Sequence, residues 1–243
     1  MDLIVTILAG GLGKRMNSEL PKVLHLFKNK PMLVHIIEQS LLLKPKNIVI
    51  ITGKFDLLIK ETVRDYIPMI NMNKISFIIQ DTPLGTGHAI KCCLNHFDKN
   101  SQVLILNGDT PKINHKLLLK FINSSEENSL LTCHIDDSTG YGRIINNEHG
   151  NILKIVEEKD ACEQEKKIKI INSGIYKIKS EDLINYIPQI KDNNKQKEYY
   201  LTDIIELFTQ NNIKIQSYVI EKEENKYILG VNTKEQLDNL EKI

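Results

Sequence analysis

Short, near-continuously apolar runs alternate with helix-like patterns through the first half of this chain. That rhythm restricts the fold more than any other feature of the sequence. The runs at residues 3–8, 48–52, 75–79 and 103–107 are too uniformly hydrophobic for a sheet with one wet face. They fit strands of a parallel sheet covered on both sides. Between them, residues 32–43, 56–66 and 87–96 carry helical patterns. Strand–helix alternation of this kind predicts an α/β fold: a Rossmann-like, doubly wound, mostly parallel sheet.

The pattern changes after residue 132. Residues 142–145 and 152–156 flank Glu148-His149-Gly150-Asn151, which reads as a hairpin closed by a glycine-containing loop. Residues 170–177 give another strand, 200–211 a helix, 215–220 a strand and 233–240 a last helix. Thr233 and Gln236 have the spacing of a capping box at the start of that helix. The Lys- and Glu-rich stretches at 163–169 and 191–197 read as solvated loops. No internal repeat or disordered linker interrupts the chain. The expectation is one domain over 1–243, made of a doubly wound part (1–132), a β-rich elaboration (133–232) and a C-terminal helix (233–243).

Charge and cysteine usage narrow the function classes. The 32 basic and 31 acidic residues leave a net charge of +1, with none of the basic excess of a general nucleic-acid binder. Cys92, Cys93, Cys133 and Cys162 contain no C-x-x-C pair, so neither a zinc site nor a secreted disulfide framework is indicated. His88 and Cys92 share a helical face, but no second pair completes a tetrahedron. No apolar run approaches the ~20 residues needed to cross a bilayer. The first apolar run follows Met1-Asp2 with no basic stretch before it. A cytoplasmic protein, monomeric or a small homo-oligomer, is expected.

The strongest local signal is Leu8-Ala9-Gly10-Gly11-Leu12-Gly13-Lys14-Arg15-Met16, directly after the first strand. Glycines here let backbone N–H groups approach phosphates without Cβ obstruction. A dinucleotide fingerprint fails, because Met16 stands where G-x-G-x-x-G needs its third glycine. A P-loop fails too, because Arg15 rather than Ser or Thr follows Lys14. What remains is a glycine turn followed by Arg15 and by Pro21-Lys22. A guanidinium and an ammonium at this place suit negative charge moving onto a leaving pyrophosphate.

These residues, with Val23-Leu24, resemble the signature of the sugar-nucleotide pyrophosphorylases. The short interval from Arg15 to Lys22 is similar to that of the bacterial N-acetylglucosamine-1-phosphate uridyltransferases. The methylerythritol-phosphate cytidylyltransferases share the short interval and are the main competitor. The resemblance runs from Leu3 to about Leu240. It implies transfer of a uridylyl group from UTP to N-acetylglucosamine 1-phosphate, with Mg²⁺ as cofactor and Arg15 and Lys22 as catalytic cations. A related transferase using another base or sugar, or a catalytically weak nucleotide-binding regulator, are the alternatives.

The same resemblance assigns the rest of the site. Leu8, Ala9, Gly10, Gly11 and Lys22 would hold the nucleotide, with Gly85 and Thr86 of Leu84-Gly85-Thr86-Gly87-His88-Ala89 framing the base. Gln80 stands where these enzymes carry a base-reading glutamine, and an amide offers both a donor and an acceptor to uracil. Asn107-Gly108-Asp109 ends a buried strand, where doubly wound folds keep their ligand crevice. Asp109 and Asn232, in Gly230-Val231-Asn232, match the magnesium ligands. Asn107 departs from the pattern, which has tyrosine there. In the elaboration, Gly142 would lie against the sugar while Glu157 and Asn172 bond its hydroxyls and N-acetyl group. Glu198–Asp203 resembles the wall beside it. The bifunctional bacterial enzymes continue into a left-handed β-helix acetyltransferase; this sequence has no hexapeptide repeats, so acetylation is expected to lie elsewhere.

Overall fold

The computed structural model describes residues 1–11, 13–124 and 126–242. Leu12 in the glycine turn and Ile243 at the end of the expected last helix lie outside the described residues. The first half runs β1 (Asp2–Leu8), β2 (Leu26–Phe27), β3 (Lys30–Pro31), α1 (Met32–Leu41), β4 (Asn47–Thr52), α2 (Asp56–Tyr66) and α3 (Met69–Met72). Then come β5 (Ile75–Ile79), α4 (Thr86–Cys92), β6 (Ser101–Asn107), α5 (His115–Ser124) and β7 (Ser129–His134). The remainder is β8 (Arg143–Asn146), β9 (Ile152–Val156), β10 (Ile170–Lys179), α6 (Ser180–Tyr186), α7 (Asp203–Gln210), β11 (Gln216–Val219) and α8 (Lys234–Lys242).

Among the described residues, nine strands form one sheet whose main path is β11-β7-β10-β6-β1-β4-β5, with β8 and β9 branching from β10. β6, β1, β4 and β5 are mutually parallel, as their unbroken apolar runs predict. Antiparallel β10 joins β6 to β7, and β8 pairs with both β10 and β9. One hydrophobic cluster forms around Val5, Ile7, Leu33 and Leu104, and a second around Ile4, Val49, Ile105 and Phe208. Successive strand residues thus feed different clusters, which explains why the strands read as continuously apolar. A third cluster packs Met16 and Met32 against Val231, Leu237 and Leu240. It carries the C-terminal segment back to the glycine turn.

The strand path reverses direction at β1, whose sheet neighbours β4 and β6 lie on opposite sides of it. That is a topological switch point, and the carboxyl ends of β1 and β6 open a crevice there. The capping box forms as expected: Gln236 N–H donates to Thr233 Oγ1 at 3.2 Å, and Gln236 Oε1 accepts from Thr233 N–H at 3.2 Å.

Several elements differ from the expectation. The helix at 87–96 ends at Cys92 and gives way to a short 3₁₀ turn, Leu94–His96. α7 begins at Asp203 rather than 200, because residues 199–201 bond the second glycine turn: Tyr199 N–H donates to Leu84 O at 2.8 Å and Leu201 N–H to Thr86 Oγ1 at 2.9 Å. β7 crosses the 132/133 division and, with α5 and α6, had no counterpart in the sequence reading. Its Ser-Leu-Leu-Thr-Cys-His composition contains a single β-branched residue, so propensity gave no strand signal.

Candidate active site

Two adjoining cavities form the crevice. The larger, of about 570 Å³, is lined by Leu8, Gly10, Gly11, Gly13 and Lys22 on one side and by Gln80, Gly85 and Thr86 on the other. The smaller, of about 220 Å³, is lined by Arg15, Gly142, Glu157, Asn172 and Asn232. Leu8, Thr86, Asn107 and Asp109 line both, so the two are halves of one site. Ala9 and Gly108 line neither. Their N–H groups are engaged by the sheet, Ala9 with Ile51 O at 2.8 Å and Gly108 with Leu8 O at 2.9 Å, so neither can donate to a phosphate.

Four polar side chains meet where the halves join. Lys22 Nζ makes a short ion pair with Asp109 Oδ2 and donates to Asn232 Oδ1 at 3.1 Å. Arg15 Nη2 donates to the same Asn232 oxygen at 2.9 Å. Asn232 reaches Asp109 across most of the chain because Val231 N–H donates to Asp109 O at 2.9 Å. The Lys22 and Asp109 side chains are only 15% and 17% exposed, so this pairing is largely withdrawn from water. A carboxylate and a carbonyl oxygen converging on one ammonium form a ready cation site. The donor set suits a hard divalent cation, which takes one or two protein oxygens and completes its shell with water and phosphate. No group of three or more His, Cys, Asp or Glu able to hold a metal occurs among the described residues, and Cys92 Sγ merely approaches His88 Nδ1 at 4.0 Å.

The residues expected to face the sugar converge for a simple reason of register. Arg143 on β8 pairs with Val156 on β9 and with Ile171 on β10. Each pair's next residues are therefore Gly142, Glu157 and Asn172, side by side on one rung. Asn172 N–H donates to Gly142 O at 2.9 Å. A Cβ on Gly142 would meet Ile155 Cγ2 at 2.9 Å, so only glycine leaves the Glu157 carboxylate uncovered there. Burial pushes the Glu157 carboxyl above the usual carboxylate range, against the pull of Thr202 Oγ1–H, which donates to Oε1 at 3.0 Å. Asp203 next to Thr202 is pushed up to about 6, by burial first and then by the charges of Glu157, Glu206 and Asp160. A β10 bulge between Asn172 and Ile175 re-aims Asn172, whose Nδ2 donates to Tyr176 Oη at 2.6 Å and whose Oδ1 accepts from Gly174 N–H at 3.0 Å.

Asn107 sits against that bulge, with Nδ2 3.4 Å from Ser173 O. A Cβ on Gly174 would lie 2.1 Å from Nδ2, so the amide fills the space over this glycine. Gln80 departs from expectation in its chemistry. Its Nε2 donates to Gly85 O at 3.0 Å and contacts His88 Nδ1 at 3.0 Å, which leaves its oxygen as the free polar atom.

Residues missed in the sequence reading also belong to the site. Arg143 is fully buried; it pairs with Glu158 Oε2 at 2.6 Å and donates to Tyr141 O, and Glu158 Oε2 also accepts Gly140 N–H at 3.1 Å. This clamp holds the turn that ends in Gly142. Lys159 and Gln196 line the larger cavity, next to Glu198 of the wall that the resemblance had already indicated. The only signal for Lys159 and Gln196 was their place near Glu157 and shortly before Glu198.

Gly85 illustrates how strictly the second turn is fixed. It has φ +108°, and a Cβ there would meet Tyr199 O at 2.5 Å, whereas a Cβ on Gly11 would meet nothing within 4 Å. Gly85→Ala is expected to cost about 2 kcal/mol or more in stability, the backbone strain at φ +108° and ψ 174° alone accounting for about 1–3 kcal/mol. Tm should fall by roughly 5 °C. Gly11→Ala should leave Tm within about 1 °C; equal Tm values for both variants would contradict the backbone argument.

A doubly wound sheet, a glycine turn at its switch point and a cation pair over an oxygen pair define a nucleotide-handling α/β transferase. The chain belongs to the nucleotidyl transferase family, whose model matches residues 4–224. It is 41% identical to an Acanthamoeba polyphaga mimivirus protein assigned as a UDP-N-acetylglucosamine pyrophosphorylase, over 99% of this chain and 96% of that protein. It is also 41% identical to the bifunctional protein GlmU of Caldanaerobacter subterraneus, over 100% of this chain but only 51% of GlmU. The chain thus spans about half the length of that relative. A solved Bacillus anthracis structure assigned as a glucose-1-phosphate thymidylyltransferase superposes with a TM-score of 0.75 at 20% identity, covering 99% of this chain and 94% of that one, a likeness of fold. Among the described residues, no helix is long and apolar enough to cross a membrane.

Proposed function

We propose that this chain transfers a uridylyl group from UTP to N-acetylglucosamine 1-phosphate, giving UDP-N-acetylglucosamine and pyrophosphate. The observation that carries this reading is the junction of Lys22, Arg15, Asp109 and Asn232 between a glycine-walled cavity and one lined by Glu157 and Asn172. In this reading residues 1–132 chiefly serve the nucleotide and residues 133–232 the sugar, as parts of one domain closed by the C-terminal helix.

The sugar phosphate is already an anion at neutral pH, so its oxygen can attack the α-phosphorus without a general base. Asp109 and Asn232 would hold Mg²⁺, which when bound screens the phosphates of both substrates and aligns them for in-line attack. Arg15 and Lys22 neutralise the α-phosphate and the departing pyrophosphate. Gly10 and Gly11 admit the triphosphate close to the backbone. Glu157 accepts from sugar hydroxyls, while Asn172 contributes an amide toward the N-acetyl group.

The sugar assignment yields a direct expectation. Turnover of N-acetylglucosamine 1-phosphate should exceed that of glucose 1-phosphate by at least about tenfold, since one satisfied hydrogen bond in a desolvated pocket supplies that factor. Glucosamine 1-phosphate should also be poor, because it lacks the acetyl group and adds a positive charge. Pyrophosphate release measured with the three sugar phosphates at fixed UTP tests this. Equal or faster turnover of glucose 1-phosphate would keep the chemistry and refute the sugar.

A further inference from the structure

The base-facing amide in the larger cavity has less freedom than its residue type suggests. Gln80 is buried, and its Nε2 lies 3.0 Å from Gly85 O and 3.0 Å from His88 Nδ1. Turning the amide over would place Oε1 3.0 Å from the Gly85 carbonyl, two acceptors facing each other with no proton between them. The amide nitrogen therefore points at Gly85 and His88. An amide nitrogen has two protons and no acceptor capacity, so His88 Nδ1 must be the acceptor and the imidazole proton must sit on Nε2. Both Gln80 donors are then engaged, and Oε1 is the side chain's remaining polar atom. It faces the glycine turn: a Cβ on Gly10 would lie 3.6 Å from it, and Gly10 and Gln80 line the same cavity.

We propose that His88 is a specificity-determining residue that acts through Gln80, engaging the amide proton that the Gly85 carbonyl leaves over so that only an acceptor meets the base. An acceptor at that point takes the N3–H of uracil and faces the bare N3 lone pair of cytosine. Leaving such a buried polar group facing a like group is what gives hydrogen-bonding sites their discrimination. His88 lies one helical turn from Cys92 and its ring is 6.3 Å from that of Tyr199, so the imidazole is positioned from both sides without itself lining the cavity. This inference deepens the uridylyl-transfer reading and rests on it.

The test compares kcat/KM for UTP and CTP in the wild type, His88→Leu and His88→Asn. Asparagine can bring an acceptor close to the place of Nδ1, and leucine cannot. His88→Leu is expected to lower the UTP:CTP ratio about tenfold, the scale of one hydrogen bond. His88→Asn should keep the ratio within about twofold of wild type, and KM for the sugar phosphate should be unchanged in both. An unchanged ratio in His88→Leu, or equal losses in the two variants, overturns the proposal. Long-range ¹H–¹⁵N spectra of the wild-type protein test it without any variant having to fold for activity. They should show His88 protonated on Nε2, and an Nδ1-protonated ring in the folded protein overturns the proposal as well. A wild-type enzyme that does not prefer UTP would instead defeat the uridine reading, and the wild-type control reveals that separately.

Discussion

Asp109→Ala is expected to reduce kcat/KM at least about 10³-fold, because cation-assisted stabilisation of phosphoryl charge is worth several kcal/mol. Asp109 supplies the only negative charge of the oxygen pair; Asn232 offers a neutral carbonyl. Asn232→Ala should therefore act mainly on the metal requirement, raising the Mg²⁺ concentration for half-maximal rate about tenfold with a smaller change at saturation. Direct binding of Mn²⁺, followed by electron paramagnetic resonance in the absence of substrates, separates a lost ligand from a disturbed fold. It should weaken in both variants, and more in Asp109→Ala. Pyrophosphate release that is indifferent to chelator and to added Mg²⁺ would remove the cation from the mechanism altogether.

How much of this site was legible in the sequence depended on whether the deciding force was local. β1, β4, β5 and β6 were readable because strands buried on both faces must be apolar at successive positions. The capping box was readable because its two hydrogen bonds lie within four residues. β7 was not: its residues are mostly buried, but Thr132 is the only β-branched one, too little for a strand signal. The start of α7 was misjudged because tertiary bonds to the 84–87 turn hold residues 199–201 out of the helix.

The site divides along the same line. Its glycine turn announced itself through residue type alone. Asn232 could be assigned only by resemblance, since nothing local reveals that Val231 N–H bonds Asp109 O. Gln80 lines the larger cavity, but an amide's donor, offered to the base by residue type, is engaged by Gly85 and His88. Arg143 escaped notice because a charged residue in a hairpin normally points to water, and only the three-strand rung with its Glu158 partner allows it to be fully buried. The Glu–Lys stretch at 163–169 read as a solvated loop, and its charged side chains pair or stay at the surface.

Lys22→Ala and Arg15→Ala should each lower kcat/KM roughly 10²–10³-fold, the usual consequence of losing one preorganised charge at a centre where negative charge develops. The two cations start from different positions. Lys22 is largely buried and lies between Asp109 and Asn232, whereas Arg15 is exposed and touches only the Asn232 amide oxygen among the bonds it makes in the described residues. A divalent cation entering the oxygen pair would compete with the ammonium for the same atoms, so Lys22 must turn toward the phosphates as the site fills. That requirement separates a phosphate-binding lysine from a mere counter-ion for Asp109. If Lys22 only neutralised Asp109, saturating Mg²⁺ would take over its role and restore Lys22→Ala to near wild-type kcat. If Lys22 acts on the phosphates, kcat stays low at saturating Mg²⁺ while the half-saturating Mg²⁺ concentration fails to rise, because a competitor has been removed. Arg15→Ala should show the loss in kcat/KM with little change in metal dependence, since Asn232 keeps its bond from Lys22. Steady-state rates over a matrix of UTP and Mg²⁺ concentrations resolve these cases, and near-normal turnover in both variants would take the two cations out of the chemistry.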